Sequence, residues 1–436
     1  MSGPTTTTTT AADGGANTVT LQAQCLCRAH SFSTTIPRSS LPLKASSCHC
    51  TSCRHVTGAL RSCDIPWPGP IAADIARSEL RRYAHSPRVN VLFCGRCGTG
   101  MFFEEAEGEG EGSVGELPRR YGVFTGVLDF AVNGDEQGLP ERLVTYEDHV
   151  YVGDTLDGGA APWLRRMNGD AGEPVKLWLG GRNKSEEVPA GVQWPPVGEL
   201  PAYEVDLKAA EGDKGNVPIR CHCRGVDLVL RAGQAQRDFA ERQKKGEKLS
   251  WIVDPVTHKL IGGFDGCTSC RVWGGSEVFN WTFTMVQHLS FAGGESGGFP
   301  LDTVELQAAV EAKDGRQRDP RFGTLAIYAS SPDVQRYFCS RCSASVFYAV
   351  NDRPGFLDVA VGVLDSPDGA RAESVISWAF GGDMVWRVDM VGSWRENLMH
   401  AVESESEQWR VERGYPKNWH RVASEEAAKK SEEEAK

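Results

Sequence analysis

The sequence predicts a mainly β chain made of two tandem copies of one metal-bound unit, with short helical insertions in the second copy. Three observations carry that reading. Short β-leaning runs, such as 91–93, 101–103 and 121–128, alternate with loops rich in Gly, Pro and Ser, the pattern of strands separated by turns. Three cysteine motifs recur in one order: Cys25-x-Cys27, Cys50-x-x-Cys53 and Cys94-x-x-Cys97 return as Cys221-x-Cys223, Cys267-x-x-Cys270 and Cys339-x-x-Cys342. Their spacing widens in the second set, which marks a duplicated domain with insertions rather than a short-period solenoid. At 436 residues the chain also exceeds one ordinary core, so two domains are expected.

Taken in order, residues 1–18 hold a threonine tract and little to bury, and read as a disordered tail. The first copy spans 19–170 and the second 216–420, joined over 171–215 by a linker rich in Gly and Pro. Within the second copy, 231–248 and 303–313 lean helical and account for the widened spacing. Gly126-Val127-Leu128-Asp129 recurs as Gly362-Val363-Leu364-Asp365. Near the end Trp394, Leu398, Met399 and Val402 recur at helical spacing, predicting an amphipathic helix over 393–413. Residues 421–436 are a charged tail.

Of the 14 cysteines, Cys63 alone lies outside a cluster. No basic and apolar leader opens the sequence, and no stretch approaches the length of a membrane span. The expectation is a cytoplasmic protein, with a nuclear location left open, and in such a reducing setting these motifs read as metal ligands rather than disulfides. A formal charge of −11 argues against a nucleic-acid partner. The pairs Arg81-Arg82 and Arg119-Arg120 are weak basic patches, offset by the acidic run 104–111, which reads as a solvated hairpin tip.

Cys25, Cys27, Cys94 and Cys97 make a complete tetrahedral set for zinc, as do Cys221, Cys223, Cys339 and Cys342. Such binding contributes folding free energy, on the order of 10 kcal/mol in structural zinc peptides. Cys48, Cys50 and Cys53 differ, because a zinc on three protein ligands keeps one position for an outside ligand. A metal-bound thiol is deprotonated, and the thiolate is the nucleophilic form. Two closures stay open here: an exogenous thiol or water, or a side chain such as His49 or His55. In the second copy Asp265 stands where Cys48 would and Gly266 where His49 would. Asp265, Cys267 and Cys270 are then either an altered metal site or one that has lost its metal. Arg54 and Arg271 follow the last cysteine of each cluster, placed either to orient a substrate carboxylate or to face solvent. Cys63 and His85 carry no spacing signal.

At Cys25-x-Cys27, Cys48-His49-Cys50-x-x-Cys53-Arg54, Gly58-Ala59, Phe93-Cys94-x-x-Cys97-Gly98-Thr99 and Gly126-Val127-Leu128-Asp129, the first copy resembles the glutathione-dependent formaldehyde-activating (GFA) and CENP-V family. The resemblance covers most of residues 19–165 and is looser in the second copy. It implies tandem zinc-bound all-β domains of the tent-like (β-tent) kind. It also implies a carbon-sulfur lyase activity of the S-(hydroxymethyl)glutathione synthase type, on a small thiol and an aldehyde, with zinc as cofactor and glutathione as co-substrate. In that reading Cys48, Cys50 and Cys53 are catalytic and Arg54 contacts glutathione. The other reading is a non-catalytic, zinc-stabilised interaction scaffold of the CENP-V type. The retained three-cysteine cluster favours the enzyme, since a scaffold needs only the closed sites.

Overall fold

The computed structural model describes residues 17–69, 73–108, 118–131, 142–169, 173–200, 215–293, 298–312, 318–382 and 384–434. The expected tail to residue 16, the acidic residues 109–111 and the linker segment 201–214 lie outside the described residues.

The first half opens with the antiparallel pair β1 (Thr18–Gln24) and β2 (Ser31–Pro37). Strand β3 (Leu43–Cys48) delivers Cys48 to helix α1 (Thr51–Thr57), and β4 (Ser62–Pro66) returns beside β3. Beyond α2 (Ala73–Arg77), the hairpin β5 (Arg81–Ser86) and β6 (Val89–Phe93) leads into the Cys94 turn. There follow β7 (Gly100–Ala106), β8 (Arg119–Phe124), β9 (Leu128–Phe130) and β10 (Val144–Val150). Within the expected linker, β11 (Lys176–Trp178) and β12 (Glu187–Val188) extend the same sheet, burying Leu177 and Val188.

The second half begins with β13 (Asn216–Arg220) and β14 (Asp227–Arg231), then α3 (Ala232–Lys244). Next come β15 (Leu260–Asp265), α4 (Thr268–Gly274), β16 (Phe279–Met285), β17 (Leu289–Phe291) and α5 (Thr303–Glu311). The hairpin β18 (Leu325–Ser331) and β19 (Val334–Cys339) is followed by β20 (Ser345–Val350), β21 (Phe356–Ala360) and β22 (Ile376–Trp378). Helices α6 (Arg387–Met390), α7 (Glu396–Glu412) and α8 (Trp419–Glu434) end the chain. The three helical readings at 231–248, 303–313 and 393–413 correspond to α3, α5 and α7. The charged tail lies in α8 as far as Glu434, and residues 435–436 lie outside the described residues.

The two large sheets run in the same spatial order. One reads β5-β6-β7-β8-β4-β3-β10 before β11 and β12, and the other β18-β19-β20-β21-β16-β15-β22. Equivalent parallel pairs occur in both, β3 with β10 and β15 with β22, and the first sheet adds a second, β10 with β11. Most buried apolar side chains form one core continuous across both halves, while Val152, Ala161, Leu177 and Val188 make a small second cluster. Trp163 sits edge-on to Phe264, with ring centroids 5.4 Å apart, and α7 packs onto residues 161–163 through a face that includes Leu398, Val402 and Trp409. A buried ionic link crosses as well: Arg61 donates to Glu277 at 3.3 Å and the Tyr146 hydroxyl donates to the same carboxylate at 3.1 Å. Pairing matters there, because an isolated charge in such a place is strongly destabilising. No helix among the described residues is long and apolar enough to cross a membrane.

Candidate functional site

The four ligand sets expected from spacing are each gathered in space, with all ligand atoms of a set within 4.8 Å of one another. Cys25 and Cys27 sulfurs lie 3.7 Å apart and Cys27 and Cys94 3.6 Å; in the second half Cys221 to Cys223 and Cys223 to Cys339 are both 3.5 Å. Sulfurs about 2.3 Å from one tetrahedral zinc stand roughly 3.8 Å from each other, so both four-cysteine groups fit the ion. Backbone N–H groups point at the sulfurs: His30 to Cys25 at 3.3 Å, Val226 to Cys221 at 3.2 Å and Cys342 to Cys339 at 3.4 Å. Such donors favour the thiolate form that a metal requires.

The three-cysteine cluster is built by a strand running into a helix. Cys48 ends β3, Cys50 is the N-cap of α1, and Cys53 lies one turn on, donating its N–H to the Cys50 sulfur at 3.3 Å. The helix closes after about two turns at Gly58, whose φ of +84° is the left-handed conformation glycine adopts most easily. Contacts with the Cys48 and Cys53 thiols pull the Cys50 thiol far down. The Cys48 and Cys50 thiols, together with burial, push Cys53 up. One thiolate thus holds the protons of its neighbours, and a cation displaces them.

Neither histidine beside the cluster joins it. The His149 Nε2 bonds the Leu164 carbonyl at 2.9 Å, which makes its Nδ1 the acceptor for His49 Nε2 at 2.9 Å. His49 is therefore committed to a buried pair, and burial holds both rings below the ordinary histidine range, His149 at about 3. His55 is also buried and depressed to about 4, by burial and then by Arg54. The ligand group at this cluster contains only Cys48, Cys50 and Cys53 among the described residues. Arg54 is buried, donating to the His49 carbonyl at 3.3 Å and to Thr51 Oγ1 at 3.2 Å. Its counterpart Arg271 reaches across the halves to the Gly126 carbonyl at 2.5 Å and to Asp129 at 3.6 Å.

Two rings that the sequence reading did not bring here lie within electrostatic reach of the Cys50 thiol: His85 and His222. His85 interrupts the β5–β6 register, which shifts between Ala84 and Ser86, and such bulges re-aim a side chain. His222 stands between Cys221 and Cys223 in the second half, and its ring centroid is 4.5 Å from that of His85. The one signal available in the sequence was the contrast of His222 with Leu26, its counterpart in the first Cys-x-Cys.

At Asp265, Cys267 and Cys270 the surroundings differ. Asp265 accepts the Cys267 N–H at 2.8 Å, and burial pushes its carboxyl well up. The buried Arg336 donates to Ser269 Oγ at 2.8 Å, lies 3.8 Å from the Cys270 sulfur and stacks on Trp273 and Tyr348. Cys63 is fully buried, its thiol pushed up to about 11 by burial, as befits a small core residue.

No curated protein and no solved structure matches the chain. Residues 20–129 match the family model described as glutathione-dependent formaldehyde-activating enzyme. That segment holds most of β1, all of β2 to β8, one four-cysteine group and the whole three-cysteine cluster. The first half of the chain thus carries a GFA family domain.

Proposed function

We propose that the protein is a zinc-dependent carbon-sulfur lyase-type enzyme that joins or parts a small thiol, glutathione in the family's chemistry, and formaldehyde or a similar aldehyde. The observation carrying this reading is the cluster of Cys48, Cys50 and Cys53, three sulfurs within 4.8 Å of one another and no fourth protein ligand atom among the described residues. Zinc held there supplies a seat for an incoming sulfur and keeps that sulfur as thiolate. The two four-cysteine groups are assigned a structural role. The shared order of seven strands in the two sheets supports a tandem duplication, with copies over 19–170 and 216–420 and the chemistry confined to the first.

The test pairs metal analysis with an assay on the full chain. Zinc content is measured on protein purified without chelator, and formaldehyde consumption is followed with and without glutathione. Cys50→Ala is expected to lose one zinc and the glutathione-dependent rate together. A Cys50→Ala variant as active as wild type would overturn the reading.

A further inference from the structure

We propose that the pocket over Cys48, Cys50 and Cys53 is composite: His85 of the first half and His222 of the second contact the oxygen of the thiol–aldehyde adduct, and Tyr83 positions His222. The proposal rests on the thiol–aldehyde reading and adds to it the residues that meet the substrate, one of them outside the family-matched segment.

The placement of the rings is specific. The His222 N–H donates to the carbonyl of His55 in α1 at 2.9 Å, docking the Cys221–Cys223 turn against the helix that holds Cys53. The His222 Nδ1 is engaged by the Tyr83 hydroxyl at 2.6 Å, which fixes the ring and leaves Nε2 without a protein partner among the described residues. His85 stacks on it from the edge strand, its own buried Nδ1 unpartnered. Buried polar atoms are rarely left so, and two imidazoles with unused nitrogen beside a thiol cluster are donors waiting for an acceptor.

The second half shows what this space looks like when closed. There the register shift between Ala329 and Ser331 puts Ser330 where His85 stands, and Arg336 opposes Tyr328 as Val91 opposes Tyr83. Arg336 fills the region, bonding Ser330 at 3.1 Å and Ser269 at 2.8 Å. In the first half the small Val91 holds the register position that Arg336 fills in the second.

In the addition, the thiolate sulfur forms a bond to the aldehyde carbon and the C=O π pair moves onto oxygen. That oxygen takes up one proton, equal to the one the thiol released on ionising, so nothing is oxidised or reduced. An N–H aimed at the oxygen stabilises the charge as it develops, an effect of about 100-fold per donor in comparable sites.

The experiment uses full-length protein with His85→Ala, His222→Leu (the residue of the first Cys-x-Cys) and Tyr83→Phe. Expected are unchanged zinc content, a kcat for glutathione-dependent formaldehyde consumption lowered at least about tenfold by either histidine change, and a smaller loss with Tyr83→Phe. KM for glutathione should stay within about twofold, because sulfur binding does not use these rings. A second readout does not need turnover: in cobalt(II)-loaded protein the His85 ring proton signals should be paramagnetically shifted, and the shift should diminish in Cys50→Ala. Unshifted His85 signals, or full kcat in the double histidine variant, would overturn the composite pocket. A shifted His85 with no thiol-dependent rate in wild type would instead sink the thiol–aldehyde reading, and with it the role given to these rings.

Discussion

Gly362 donates its backbone N–H to the carbonyl of Gly58 at 2.9 Å, and Gly126 does the same to Gly275 at 3.1 Å. The two tetrapeptides Gly-Val-Leu-Asp thus exchange equivalent bonds with the C-caps of the two cysteine helices. The approach is backbone on backbone: a Cβ on Gly362 would stand 2.2 Å from the Ala59 carbonyl oxygen and 2.4 Å from that of Gly58. Gly362→Ala is therefore expected to destabilise the chain by about 2 kcal/mol or more, since neither obstacle is a side chain that can swing aside. Denaturant unfolding followed by tryptophan fluorescence checks it, and the loss should appear in one transition for both halves. Separate melting of the halves would contradict the shared core.

The two kinds of cysteine group should respond differently to the loss of a ligand. Cys94→Ala leaves three sulfurs on a group that ties β1 and β6 together, and part of the folding free energy of metal binding goes with it. Cys50→Ala touches a cluster contained within one strand-to-helix turn. Thermal unfolding of both zinc-loaded variants is expected to show the larger drop for Cys94→Ala. Equal drops would make the three-cysteine cluster structural too.

The gathered cysteine groups are legible in the sequence because the spacing within each knuckle is local, and the paired motifs announce the repeated strand order. Helices α1 and α4 are not legible. Each spans seven residues, too few to show a hydrophobic period, and each starts on a cysteine whose sulfur caps it, a choice propensity does not register. His85 and His222 escape for another reason. One depends on a register shift and the other on how two distant segments dock, and neither relation is written in nearby residues. The recurring Gly-Val-Leu-Asp is visible as a repeat, but only the close backbone approach explains its glycine.

A pH dependence follows from Glu405 on α7. Its carboxylate accepts the Arg166 N–H at 2.9 Å, and burial pushes its pKa up to about 7 against the pull of that bond and of Arg166 and Arg165. The folded chain then holds a proton that the unfolded chain releases near the ordinary glutamate value. Stability conferred by the protonated group is complete below about pH 4.5 and is lost as pH rises toward 7, at up to about 1.4 kcal/mol per pH unit. Glu405→Gln should remove this part of the slope, so that its stability relative to wild type increases from pH 4.5 to 7. Parallel profiles from urea unfolding at several pH values would refute the assignment.

Arg336 stands beside the second cluster. Arg336 is 2% exposed, and its guanidinium sits beside Cys270 and Ser269, where a divalent ion on Asp265, Cys267 and Cys270 would meet it. The guanidinium, 3.8 Å from the Cys270 sulfur, already serves as the positive partner of that thiolate, and so competes with an ion for it. Carboxylate in place of the third thiolate also makes the set harder and less suited to zinc-bound sulfur chemistry. Arg336→Val, which copies Val91 in the first half, should remove that competitor and let the chain take up one more equivalent of zinc than wild type. Some stability will be lost with the stacking on Trp273 and Tyr348, but zinc content reads the site independently of that loss. Asp265→Cys in the same background should tighten the added zinc further. If wild type already carries a zinc that Cys267→Ser removes, the guanidinium is compatible with the ion and the second cluster is an occupied metal site.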